Sequence, residues 1–157
     1  MKKTHGIKRG VCLILILLNL CFIWGNSILS GEESKAISDR VIAVLVDVLH
    51  IDYTGDGSED EPDMNFLVRK AAHATEFLSL GFLSALLTVQ QGQKIREWIP
   101  LPLLFGVLTA LADETIQLYH ARTSSVKDVW LDGTGFLVGV LLALLLMRLV
   151  RLIRKET

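Results

Sequence analysis

The sequence predicts an all-α integral membrane bundle of about four transmembrane helices, with an extra amphipathic helix on the outer surface. Three observations lead there. The 157 residues are 51% hydrophobic and 21% charged, and a mean hydropathy of +0.46 is too high for a soluble domain of this size. The apolar residues gather into four runs, 11–29, 66–89, 98–119 and 129–150, each close to the roughly 20 residues needed to cross a hydrocarbon core. The cations cluster beside the runs on one side of the expected membrane, and the acids on the other. A formal charge of −1 leaves no basic excess to neutralise phosphates, so no nucleic-acid partner is expected. Cys12 and Cys21 lie in one run with no cysteine elsewhere, which rules out a disulfide framework and a Cys-rich zinc site. The whole of 1–157 reads as one membrane domain with an outer loop at 30–65.

The first run follows Lys2, Lys3, Lys8 and Arg9 and reads as a membrane helix. A cleaved secretory signal, ending at the small-x-small string Gly25-Asn26-Ser27, is the competing reading. The string Leu18 to Cys21 lacks the small residues that lipidation of a cysteine wants. Ser30 and Glu33 then form a capping-box pattern, followed by Ile37, Val41, Val44 and Val48 at helical spacing. This predicts a short amphipathic helix lying on the outer surface or tucked against the bundle. The second run holds Arg69, Lys70, His73 and Glu76, and the third holds Asp113, Glu114 and Gln117. Such runs span only if these groups face a protein interior or a wet cavity. Pro100 and Pro102 mark the first turn of the third helix, where a missing N–H costs little. In the fourth run Gly135, Gly139 and Ala143 recur every four residues, a smooth stripe on which another helix can pack closely.

Orientation follows from the positive-inside rule. The basic N-terminus, Lys94 and Arg96 between the second and third runs, and Arg148, Arg151, Arg154 and Lys155 after the fourth would all be cytoplasmic. The segment from Gly31 to Asn65 carries ten of the seventeen acids with only Lys35 and Arg40 as cations, and falls outside. Both termini are therefore expected on the cytoplasmic side of a bacterial plasma membrane.

With that topology, the polar residues of three helices meet at one level. Arg69, His73 and Glu76 are spaced i, i+4, i+7 on one helix face, flanked by Lys70. Asp113 pairs with Gln117 at i, i+4, and Glu114 with Gln117 at i, i+3. Arg122 lies in the following loop, and Asp128 and Asp132 open the last helix, where carboxylates suit the positive dipole end. A charge at mid-bilayer costs about 2.5–3.5 kcal/mol on insertion scales, so these groups must face one another. Two readings remain open: an ion-pair network holding the bundle together, with Arg69 or Arg122 paired to Glu114, Asp128 or Asp132, and a polar pocket open to the outer leaflet.

Other signals are weaker. His73 and Glu76, with Glu114 and Asp128 opposite, have the donor types for a divalent ion such as Mn, Fe or Zn. An arginine in the same stripe competes for the carboxylates, so no metal and no other cofactor is expected. The stretch from Asp52 to Asp63 partly matches a calcium loop, but Thr54 and Asp63 replace the usual ligands, and a solvated acidic loop is the plainer reading. No serine stands beside His73 as a nucleophile would need.

The motifs Arg69-Lys70-x-x-His73-x-x-Glu76-Phe77, Asp113-Glu114-x-x-Gln117, and Arg122 followed by Asp128-Val129-x-x-Asp132-Gly133-x-Gly135 resemble the VanZ-like family. The resemblance runs from the first span, through Ser27, Ser34 and Ser38, to the glycines of the last. Asp132 stands where Asn is common in that family, which adds a charge, and the acidic insert at 52–63 has no counterpart in its pattern. The resemblance implies a small bacterial membrane protein linked to glycopeptide resistance, to teicoplanin in particular. On that basis Arg69 and Arg122 are expected to bind anionic head groups or carboxylates, with Lys70, His73, Glu76, Asp113, Glu114, Gln117, Asp128 and Asp132 completing the ligand site. The expected partner is a membrane lipid or lipid-linked envelope precursor, or the lipoglycopeptide itself. The alternative from another class is a membrane-embedded hydrolase or transferase acting on an envelope lipid, with His73, Glu76 and Glu114 as candidate acid and base. A scaffold for a separate partner protein is a third.

Overall fold

Hydrocarbon offers no hydrogen bonds to a backbone, so a segment that crosses it must satisfy its own N–H and C=O groups, and each apolar run accordingly forms one helix. The computed structural model describes residues 2–50, 63–90, 99–120 and 125–156. Five helices make up those residues: α1 (Lys2–Ile28), α2 (Gly31–Leu49), α3 (Met64–Gln90), α4 (Pro100–Tyr119) and α5 (Val126–Glu156). Four contain stretches long and apolar enough to span, namely Gly6–Ile28, Met64–Gln90, Pro100–Tyr119 and Val126–Ile153. The helices at the two ends of the chain outrun their apolar cores. α1 starts at Lys2 and α5 runs on to Glu156, through turns rich in Lys and Arg, which are good helix formers. As the two prolines predict, α4 begins at Pro100.

The outward faces are greasy. Leu13, Leu17, Leu18 and Phe22 on α1, Leu104, Leu108 and Leu111 on α4, and Leu141, Leu145 and Leu152 on α5 are all exposed, an arrangement that lipid accommodates and water does not. Tyr119, 85% exposed, and Trp130, 74% exposed, project from the same end of the bundle, where amphipathic rings sit at head-group level.

The interior is built on α3 and α5, which share the most extensive contact in the fold. The small-residue stripe on α5 is what lets them touch. A Cβ added at Gly139 would lie 1.9 Å from the Leu78 carbonyl oxygen, and one at Gly135 2.6 Å from that of Ala74. From the α3 side, a Cβ at Gly81 would lie 2.0 Å from the Phe136 carbonyl oxygen. The Phe136 ring then fills the space left by Gly106 of α4, 2.7 Å from where a Cβ would be. Ile23 and Cys12 of α1, Phe77 and Leu80 of α3, Ala110 of α4, and Phe136 and Val140 of α5 form the buried core.

Helix α2 has the expected capping box: the Ser30 hydroxyl accepts from the Glu33 N–H while the Glu33 carboxylate accepts from the Ser30 N–H. Its packing face differs from the apolar stripe. Ser38 and Ile42 are the buried residues, whereas Ile37, Val41, Val44 and Val48 are all exposed. Ser38 tolerates burial because its hydroxyl donates to the Ser34 carbonyl at 3.0 Å. The stripe instead lies on the outside of the bundle and, through Ile37 and Val41, borders an open groove beside α1 and α3.

Two expectations follow. Gly81→Ala and Gly139→Ala should each destabilise the bundle by about 1–3 kcal/mol through overpacking against backbone, whereas Gly133→Ala, with nothing within 4 Å, should be neutral; thermal unfolding in detergent micelles reads the difference. Hydrogen bonds from the Ser30 N–H and hydroxyl hold the Glu33 carboxyl below its ordinary value. Their contribution to the start of α2 is complete above the unfolded value of about 4.3 and is lost as pH falls through the lowered folded value. Cα chemical shifts of the first turn should therefore stay helical at mildly acidic pH and lose that character at lower pH, and Glu33→Ala should abolish the dependence.

Candidate functional site

The polar residues of three spans, and of α1 as well, converge at the end of the bundle that carries α2. Asp113 is the centre. It is fully buried, six residues before Tyr119 and so roughly 9 Å along the helix from that interfacial ring. A carboxylate there is tolerable only if its oxygens are satisfied. The Ser27 hydroxyl of α1 donates to Oδ1, and the Gln117 amide, one helical turn along α4, donates to Oδ2 at 2.8 Å. Ser27 Oγ also lies 3.1 Å from the Ile23 carbonyl oxygen. A hydroxyl has one proton, and the charged acceptor takes it.

His73 sits between two acids. Its Nδ1 is 3.8 Å from Glu76 Oε2 and 3.9 Å from Asp113 Oδ2, separations that give electrostatic contact when the ring is protonated but exceed a hydrogen bond. Glu76 is held from the α1 side, with Asn26 Nδ2 donating to its Oε1 at 2.7 Å. Asp132 of α5 is 2% exposed and brings a carboxylate to the same point: one donor atom each from His73, Asp113 and Asp132 lie within 4.8 Å of one another.

The start of α5 closes the site. The backbone N–H of Ser125 donates to Glu114 Oε2 at 3.2 Å, tying α5 to α4, and the Ser125 side chain accepts from the Lys127 N–H at 3.2 Å, as a residue capping a helix does. Asp128, in the first turn of α5, forms an ion pair with Lys70 of α3. Lys70 also stacks its ammonium over the Phe66 ring, 5.4 Å from the centroid. Among the described residues the ion-pair partner of Asp128 is Lys70 and not Arg69. Arg69 instead uses Nε to donate to the Asn65 carbonyl at 3.3 Å. Arg122 and the acidic stretch at 52–62 lie outside the described residues.

Two hollows border these groups. A polar cavity of about 490 Å³ is lined by Arg69, Lys70, His73, Glu114, Asp128 and Asp132, among others. A larger, mostly apolar groove of about 830 Å³ runs between α1, α2 and α3, along Phe22, Leu29, Ile37, Val41 and Leu45. Arg69 and His73 line both. Of the expected site residues, Arg69, Lys70, His73, Glu76, Asp113, Glu114, Gln117, Asp128 and Asp132 are brought to this one end. Sequence reasoning missed Asn26 as the partner of Glu76, gave Ser27 no role, and overlooked Ser125. The signal was the polar pair at the end of an otherwise apolar run, which the string Gly25-Asn26-Ser27 masked by its likeness to a cleavage site.

The family model described as VanZ/LLP1 matches residues 12–148, from within α1 to within α5. No curated protein and no solved structure matches the chain.

Removing the Ser27 hydroxyl deprives a fully buried carboxylate of a donor. Ser27→Ala should therefore cost about 1–3 kcal/mol of bundle stability, whereas Thr115→Ala, which removes an exposed hydroxyl bonded only to the carbonyl one turn back, should cost far less; unfolding in mild detergent distinguishes the two.

Proposed function

This chain belongs to the VanZ/LLP1 family and is a multi-pass membrane protein, and we propose that it binds an amphiphile of the bacterial cell envelope, polar part in the cavity and acyl chain in the groove. The observation that carries this reading is the junction of the two hollows at Arg69 and His73. A molecule with a charged head and a greasy tail needs a polar recess opening directly into an apolar one. Each methylene leaving water for such a groove contributes about 0.8 kcal/mol. Arg69 offers a planar fork to a phosphate or carboxylate, Lys70 adds positive charge at the rim, and Glu114, Gln117, Asp128 and Asp132 orient the ligand or the cations.

The positive-inside distribution of Lys and Arg supports cytoplasmic termini, which turns the site toward the outer leaflet. Lipid-linked envelope components and lipoglycopeptides meet there. The family resemblance links such a protein to teicoplanin, whose acyl chain suits the groove. A second reading is favoured by the position of His73 between Glu76 and Asp113: an embedded hydrolase or transferase on an envelope lipid, with Glu114 also at hand.

The test is susceptibility to teicoplanin and vancomycin in a sensitive Gram-positive host expressing the protein, with membrane levels checked by immunoblot. Wild type should protect selectively against teicoplanin, and Arg69→Ala and Glu114→Ala should lose protection at normal membrane levels. Full protection by either variant overturns the binding site. Mass spectrometry of lipid extracts separates the two readings, since a modified lipid or drug that disappears with His73→Ala belongs only to an enzyme.

A further inference from the structure

We propose that His73, Asp113 and Asp132 form a site for one first-row divalent cation, of the manganese or zinc type, on the floor of the polar cavity. The three residues come from α3, α4 and α5 and are far apart in sequence, yet one donor atom from each lies within 4.8 Å of the others. Donors held about 2.0–2.2 Å from a common ion are at most about 4.4 Å apart. The 3.9 Å between His73 Nδ1 and Asp113 Oδ2 already falls within that span, and the full trio closes on an ion by side-chain shifts that range from a few tenths of an ångström for donors on opposite sides of it to about 1.4 Å for tetrahedral donors about 3.4 Å apart.

Asp132 supplies the independent observation. The residue is 2% exposed and lines the cavity, yet no hydrogen bond or ion pair among the described residues ends on its carboxylate. Lys70, a cation lining the same cavity, is bonded to Asp128. A buried carboxylate in such a position takes either a proton or a counter-charge, and a divalent ion is the counter-charge that the neighbouring donors fit. The second carboxylate, Asp113, already has the outer support that metal-ligating acids receive, from Ser27 and Gln117.

Donor chemistry narrows the ion. One imidazole nitrogen with two carboxylate oxygens is too nitrogen-rich for calcium or magnesium and has no sulfur for a soft metal, which leaves Mn, Fe or Zn. The remaining coordination positions open on the cavity, where water or an oxygen-bearing head group fits. The arginine competition that argued against a metal does not reach this trio from Arg69, whose Nε donates to the Asn65 carbonyl and which forms no ion pair with Asp113 or Asp132 among the described residues.

The experiment uses the full chain in detergent micelles, stripped with EDTA and dialysed against Zn²⁺, Mn²⁺, Co²⁺ or Mg²⁺, with bound metal counted by mass spectrometry and affinity measured by calorimetry. Wild type should take up one transition ion per chain and no Mg²⁺. Asp132→Asn and His73→Ala should each lower affinity more than about 100-fold and Ser27→Ala about 10-fold, while Asp47→Asn on α2 should match wild type. If Asp132→Asn does not fold, the visible ligand-field absorption of the Co²⁺-loaded wild type, and its change in Ser27→Ala, reads the same site. No stoichiometric uptake by wild type, or unaltered affinity in His73→Ala, overturns the proposal. The assay contains no envelope lipid or drug, so its failure leaves the amphiphile reading standing.

Discussion

One carboxylate with no exposed surface sets the terms for this bundle. Asp113 lies inside a helix that crosses hydrocarbon, where a polar group without a partner is paid for in several kilocalories. Each neighbouring helix is recruited to it. α1 turns Ser27 inward, α4 supplies Gln117 from its own next turn, α3 brings His73 and α5 brings Asp132. The contacts follow from sequence spacing. Gln117 is i+4 from Asp113, and Ser27 is i+4 from Ile23 on the buried face of α1, so the helix that buries Ile23 must also aim Ser27 at the same interior.

The opposite half of the bundle answers a different constraint. Lipid tails are as apolar as leucine, so burying leucine between helices gains little there, and close packing has to hold the spans together. Gly81, Gly135 and Gly139 let the α3 and α5 backbones approach until an added methyl would overlap carbonyl oxygens. Phe136 then occupies the recess left by Gly106 on α4. A smooth, tightly packed half thus anchors a polar half that is hollow. That division matters because a cavity lined by charges contributes no packing of its own, and the helices around it must be fixed from elsewhere.

Much of this was legible in the sequence. The four spans follow from run length, and the capping box of α2 from Ser30 and Glu33, because both are local signals with a fixed geometry. The convergence of His73, Glu76, Asp113, Gln117 and Asp132 was legible because topology and helical spacing leave charged groups no other place to face. Pairings were less legible. Helical spacing gives direction to within a face, and Lys70 and Arg69, one residue apart, differ in which of them reaches Asp128 only by the rotation of α3 against α5. The seat of α2 was left open for a related reason: in a membrane an apolar stripe has two acceptable environments, protein and lipid, and hydrophobicity alone does not choose between them. Small hydroxyl and amide residues decided the matter instead. Ser38 faces inward on α2, and Asn26 and Ser27 do so on α1.

The same logic explains why the two hollows meet where they do. A purely polar cavity closed on all sides by lipid-facing helices would admit no ligand from the membrane, and a purely apolar groove would be filled by any acyl chain. Arg69 and His73 form part of the wall between them, because both residues line both hollows. Each has a face that tolerates apolar contact and an edge that donates hydrogen bonds: the guanidinium through its flat surface, the imidazole through its ring. Residues of that kind at the seam are what the proposed amphiphile would need to reach from groove to cavity without leaving a charge against hydrocarbon. For the proposed ligand, selectivity would then rest on the head group, since an apolar groove distinguishes chains only by length. On that reading, the acids beside Asp113, drawn in to serve the fold, are the groups that would make that choice.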